Sequence, residues 1–196
     1  MKSKKGLLIG LGIVVLLVGF FITTSNKLVR SESNVDEAYA NVDTQLQRRN
    51  DLIPNLVSTT KGYAEHESKI FTDIAAARSN MIAASKSEDM TKISEANSNM
   101  DNALGRLLAL QENYPDLKAD KQFTQLSDEL AGTENRIAVA RKDYNQEVKS
   151  YNNTIGVFPT SLVASMKGLE KKPYFKATES AQSVPTVDFN TSSSTK

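Results

Sequence analysis

The sequence predicts an all-α protein: an N-terminal transmembrane helix, then an elongated antiparallel helical bundle of three long helices and a short C-terminal helix, then an extended C-terminal strap. Three observations predict it. Gly6–Ile22 is apolar throughout, and about 17 residues is the lower limit for a helix crossing the hydrocarbon core. From Val35 to Ile155 apolar residues recur at spacings of three and four, the period of a helix face and not of a strand. Proline- and serine-containing breaks interrupt that pattern at only a few places, so the helices are long and their connections short.

The anchor comes first, over residues 1–27 with its flanks. Lys2, Lys4 and Lys5 precede the apolar run, and Thr23, Thr24 and Lys27 follow it, extending the span by snorkelling. A cleaved signal peptide also has a basic start and an apolar middle, but this run is longer than usual and no Ala-x-Ala site follows. A retained single-pass anchor is therefore expected, with the membrane as its partner. The N-terminal lysines outnumber Lys27 and Arg30, which leaves the N-terminus in the cytoplasm and the bulk outside. Gly6 and Gly10 form a Gly-xxx-Gly pair, and homo-oligomerisation through the anchor is a secondary expectation.

The bundle is expected over residues 28–169. Ser33 or Asn34 caps a first helix with the seam Val35, Ala38, Val42 and Leu46. Beyond Pro54 the stripe resumes at Leu56, Tyr63, Ile70, Ile74, Ala77 and Met81. This predicts one helix from residue 34 to residue 84, about 75 Å long. Asp51 is a candidate N-cap that would put Pro54 in a first turn, so a kink or a restart is expected there. Ser87 opens a second helix, marked by Met90, Ile93, Asn97, Met100 and Leu104 and stopped at Tyr114-Pro115. Asp120 opens the third, whose heptads run from Phe123 through Leu130, Ile137, Tyr144 and Tyr151 to Ile155, calling for a partner along its whole length. After Phe158-Pro159 a short amphipathic helix carries Leu162, Val163, Met166 and Leu169. Residues 170–196 read as an irregular charged and aromatic link, a strap over Val184–Phe189, and a disordered polar tail.

Composition excludes several chemistries. With no cysteine there is no disulfide, thiolate metal site or cysteine nucleophile. Of 24 basic residues, four lie before Leu28, leaving 20 against 23 acidic ones and no electrostatic reason to expect nucleic acid. No carboxylate-and-glycine loop for calcium is present, and the glycines form no phosphate cradle. No metal and no cofactor is predicted. His66, beside Glu65 and Glu67, is the one histidine, whereas a zinc helix needs two. No nucleophile, base and orienter assemble, so no catalysis is expected; the alternative is an accessory hydrolase or protease-associated protein with a site near His66 and Glu67.

The stronger signal is a polar set on or beside the seam: Arg48, Arg49, Asn50, Asp51, Asn55, Arg78, Glu134, Arg141, Asn145 and Asn152. Buried charges persist only when paired and hydrogen-bonded, so the arginines call for carboxylate or carbonyl partners on neighbouring helices. Glu134 and Arg141 on the third helix are the nearest candidates. The set either fixes the bundle's register or forms a patch that a partner recognises.

These motifs carry a resemblance. RRNDLIPNLV over Arg48–Val57, Lys61-Gly62-Tyr63 with His66-Glu67, Ala77-Arg78, ENYPDLK over Glu112–Lys118, Tyr144-Asn145, Tyr151-Asn152, Phe158-Pro159 and VPTVDF over Val184–Phe189 together resemble the LemA family of bacterial membrane proteins. The resemblance implies one N-terminal membrane helix, an all-α antiparallel bundle and no established enzymatic activity. It also implies an envelope setting, since family members often neighbour membrane proteases or other envelope proteins in genomes. The expected function is that of a membrane-anchored scaffold or adaptor binding unidentified envelope proteins. The family's short N-terminus is commonly placed outside, opposite to what Lys2, Lys4 and Lys5 imply.

Overall fold

The computed structural model describes residues 2–176, with side chains from residue 8 onward. All described secondary structure is helical. Helix α1 (Lys2–Lys61) runs without interruption from the apolar N-terminus into the bundle; at 60 residues it is about 90 Å long. It is the one described helix long and apolar enough to cross a membrane. Helices α2 (Ser68–Ser87) and α3 (Met90–Ala109) follow, then a 3-10 turn and the short α4 (Pro115–Ala119). Helix α5 (Lys121–Gly156) returns along α1, and α6 (Thr160–Met166) closes the base.

The α1–α5 pair is the backbone of the fold, and its antiparallel register is constant. Tyr63 meets Asp120, Arg49 meets Glu134, and Tyr39 meets Tyr144. The first pair lies just beyond the helix ends, fourteen residues from the second along both segments of the chain, and the last two pairs, both within the helices, are ten apart, a heptad plus an a-to-d step. Val42, Leu46, Ile53, Leu56, Leu130, Ile137, Val148 and Tyr151 are buried along it. The α2–α3 hairpin covers only the distal half. Arg78 of α2 reaches Asn50, and Arg106 of α3 pairs with Asp73 of α2 at 2.9 Å. The proximal half is covered instead by α6 and the extended segment that follows it. Gly168, at φ +66, turns the chain out of α6 in a Schellman arrangement: Leu169 N–H donates to Ala164 and Gly168 N–H to Ser165.

The long helix predicted over residues 34–84 is two helices. The chain leaves α1 at Gly62, passes through a turn that buries Ala64, and re-enters at Ser68. Glu67 precedes α2 without capping it by its side chain, so no cap signal marks the break. Ser87 likewise is not the cap of α3; Asp89 is, accepting from the N–H groups of Thr91 and Lys92. Asp120 does cap α5, through Phe123 N–H at 2.8 Å. The strap expected at Val184–Phe189 lies outside the described residues.

Pro54 starts no new helix, and Asp51 caps nothing: both sit inside α1. A proline there has no N–H for the carbonyl four residues back, which belongs to Asn50, a buried residue. Arg78 supplies the missing donor, its Nε–H pointing to the Asn50 carbonyl at 3.3 Å. Pro54 and Arg78 are therefore energetically linked. Arg78→Met is expected to lower stability by about 1–3 kcal/mol, the cost of an unsatisfied buried acceptor. In a Pro54→Ala background, where the backbone again donates to Asn50, the same change costs clearly less. Urea unfolding of the four proteins of this cycle in detergent measures the coupling; equal costs in both backgrounds would show that Arg78 does not serve Asn50.

Candidate functional site

Seven of the ten residues of the sequence-derived polar set fall into three places. At the centre of the distal half, Arg49 is 1% exposed, on α1 where α3 and α5 converge. One terminal nitrogen donates to Asp101 Oδ1 at 2.7 Å and to Glu134 Oε2 at 2.5 Å; the other donates to the Asn97 carbonyl at 3.3 Å. Asn97 Nδ2 in turn donates to Asp101 at 3.0 Å. The two carboxylates keep water on their outer sides, with side chains 42% and 45% exposed, so only the arginine is fully desolvated. The heptad pattern points to Glu134 as a partner but not to Asp101, which flanks the α3 stripe and looks like any surface carboxylate.

Asp101 carries the electrostatic cost of that crowding. Burial pushes its carboxyl above the ordinary value of 3.8, Arg49 pulls it down, and Glu134 adds to the rise. Arg141 lies within reach of the same charges. Burial lowers its guanidinium's pKa, while Asp101 and Glu134 work the other way. Arg78 sits on the α1–α2 seam described above. Arg48, Asp51 and Asn55 are exposed and are not brought to the Arg49 cluster; Arg48 borders a surface depression with Lys121, Asp128 and Arg136.

The third place is a clamp on α5. Asn145 and Asn152 are seven residues apart and so share a face. Asn145 Nδ2 donates to the Phe175 carbonyl at 2.9 Å, and Phe175 N–H donates back to Oδ1 at 2.8 Å. Asn152 holds Lys172 in the same way, at 2.9 Å both times. The spacing fits because seven helical residues rise about 10.5 Å and three extended residues span about 10 Å. Between the rungs Tyr144 donates to the Pro173 carbonyl at 3.0 Å, and burial, with Tyr39 and Asp36, pushes its phenol up to about 12. Arg141 lies 4.1 Å over the Phe175 ring and donates to the Lys176 carbonyl at 3.3 Å. Lys172 pairs with Glu32 and Asp36 on α1 at 3.3 and 3.7 Å. Burial pulls its amine down, but these carboxylates outweigh that and its pKa is raised.

The alternative catalytic reading centres on His66 and Glu67. His66 is exposed, and Glu67 accepts from Tyr114 OH at 3.3 Å. The shallow depression beside Gly62 is lined by Lys61, Glu65, Ser68 and Phe71, and includes neither. Among the described residues no cluster of His, Asp and Glu has the arrangement of a metal site. What the geometry displays is an ion cluster that joins α1, α3 and α5, and an asparagine ladder that holds an extended backbone.

Two outcomes follow for stability. Arg49→Ala removes charged hydrogen bonds to two half-hydrated carboxylates and opens the core, and is expected to cost about 2–3 kcal/mol. Arg141→Ala removes a half-exposed stack and is expected to cost about 1 kcal/mol; urea unfolding of each variant in detergent gives the ranking. For Asp101 the raised folded pKa means that its contribution is fully present below the unfolded value, near 3.8, and is lost as pH rises through the folded value. The stability advantage of the wild type over Asp101→Asn is therefore expected to shrink as pH rises across that window. A difference that grows with pH would mean that Arg49 dominates the carboxyl.

A sequence model of the LemA family matches residues 38–189. The magnetosome protein MamQ 2 of Paramagnetospirillum magneticum is 26% identical over 186 residues, covering 83% of this chain and 68% of its own. Protein LemA of Metamycoplasma hominis is 29% identical over 182 residues, covering 91% and 80%. The magnetosome protein MamQ of Magnetospirillum gryphiswaldense is 28% identical over 192 residues, covering 84% and 71%. The matched stretch takes in the Arg49 cluster, the α1–α2 seam and the asparagine ladder, and the chain belongs to the LemA family.

Proposed function

We propose that this protein is a membrane-anchored helical scaffold of the bacterial envelope, which presents a bundle surface to other envelope proteins and catalyses nothing itself. The carrying observation is the continuity of α1, which joins the apolar run to the head of the bundle without a hinge. From Thr23 to Lys61 the helix rises about 57 Å, so the distal half, with its α2–α3 hairpin, stands well clear of a bilayer. Such a stalk supports a role in holding partners at a fixed height. The exposure of His66, the engagement of Glu67 by Tyr114, and the absence of both from the lining of the depression beside Gly62 favour this reading over the accessory-hydrolase one. The names of the MamQ relatives tie those proteins to magnetosomes and not to a reaction, which fits a role in assembly. The basic N-terminus favours placing the bundle outside the cytoplasm.

One experiment tests partner and side together. The chain has no cysteine, so Lys142→Cys, at an exposed shaft position, can be labelled on intact cells with a membrane-impermeant reagent that carries a photo-crosslinker. Labelling of intact cells and discrete adducts to envelope proteins are expected, unchanged in a His66→Ala, Glu67→Gln background. Labelling only after lysis would put the bundle in the cytoplasm. Absence of adducts from this and other exposed shaft positions would overturn the scaffold reading.

A further inference from the structure

The bundle is well covered except at its base. Beyond Ile22, five large apolar residues of the described chain are more than half exposed: Val139, Val157, Phe158, Leu162 and Met166. Four of the five fall within ten residues, between the end of α5 and the end of α6. Their exposure is high, 79% for Phe158 and 76% for Met166. The opposite face of α6 is spent on the core, where Val163 and Ala164 are buried. Leu162 and Met166 are one turn apart and share the outer face.

The position of this patch is fixed by α1. Lys167 at the end of α6 donates from Nζ to Ser25 Oγ at 2.9 Å, and Ser25 is three residues past Ile22, where the apolar run stops. α6 packs against both α1 and α5, and Thr24 and Leu28 are buried at this level. The patch thus lies beside the point where α1 would leave the hydrocarbon, and Lys27 and Lys167 at the same level carry the charge that lipid headgroups attract. An apolar face flanked by lysines, at the height of the membrane boundary, has the composition of an interfacial element.

We propose that Val157–Met166 is a second membrane contact, in which Phe158, Leu162 and Met166 enter the boundary between headgroups and acyl chains of the bilayer that α1 crosses. Interfacial helices sink about 5–10 Å at their apolar face, and here the three exposed side chains are free to enter while Val163 and Ala164 stay in the core. Two contacts, one through the bilayer and one on it, fix the tilt of the stalk, which a single crossing helix leaves free. The inference rests on α1 being a transmembrane anchor.

The absence of tryptophan from the chain gives a clean test. Full-length protein with Phe158→Trp, Met166→Trp, Val139→Trp or Phe21→Trp is reconstituted into vesicles of phosphatidylethanolamine and phosphatidylglycerol, with or without bromine high on the acyl chains. Blue-shifted emission and bromine quenching are expected at positions 158, 166 and 21, and neither at 139. Quenching at 21 with none at 158 and 166 would overturn the interfacial contact and leave the anchor standing. Blue-shifted but unquenched emission at 158 would mean that protein, such as a second copy, covers the patch, which also overturns it. Absence of quenching at 21 would remove the anchor and the inference together.

Discussion

A buried cation with no charge partner on its own helix sets the terms for the distal half of this bundle. Arg49 faces the core from α1, and its guanidinium is satisfied only when α3 brings Asp101 and the Asn97 carbonyl and α5 brings Glu134. Sliding α5 by a heptad would take away Glu134, and rotating the hairpin would take away Asp101 and the Asn97 carbonyl. Either change leaves a buried arginine with only part of its partners, at a cost of a few kcal/mol. Apolar heptads alone tolerate such slips, because leucines in successive layers are interchangeable. The ion cluster therefore supplies what the hydrophobic seam lacks, a single allowed register.

Pro54 works by the same logic at a smaller scale. It removes one backbone donor from α1, and the carbonyl left behind gives α2 a place to dock through Arg78. What reads as a defect in a helix becomes a contact between helices. On the proximal half, where no hairpin covers α1 and α5, the asparagine ladder and the Lys172 pairs bind the returning chain through backbone atoms and charge. Each half thus has its own polar device, and the α1–α5 seam joins them.

Much of this was legible in the sequence. The membrane run and the α5 heptads are local patterns, and they appear where periodicity placed them. The break at Gly62 was hidden because Leu56, Tyr63 and Ile70 keep a heptad interval straight across it, although Tyr63 is exposed and reaches Asp120 instead of the seam. Arg49, Glu134 and Asn145 were visible as polar residues out of place. Asp101 was not, since a carboxylate on a helix flank is ordinary until an arginine from another helix meets it. The docking of Lys172–Phe175 depends on matching an extended rise to a helical one across separate segments, which no single stretch of sequence displays.

The continuity of α1 has an angular consequence as well as a lengthwise one. Each residue of an α-helix turns it by about 100°, so the face of the anchor and the face of the bundle are locked in phase through Thr23–Lys27. Inserting one residue there would leave both segments intact yet swing the whole head by more than a quarter turn. Inserting seven would restore the alignment almost fully while lifting the head by about 10 Å. The junction therefore works as a key that sets azimuth and height at once: azimuth against the anchor's own faces, and height above the bilayer, on which the proposed α6 contact depends.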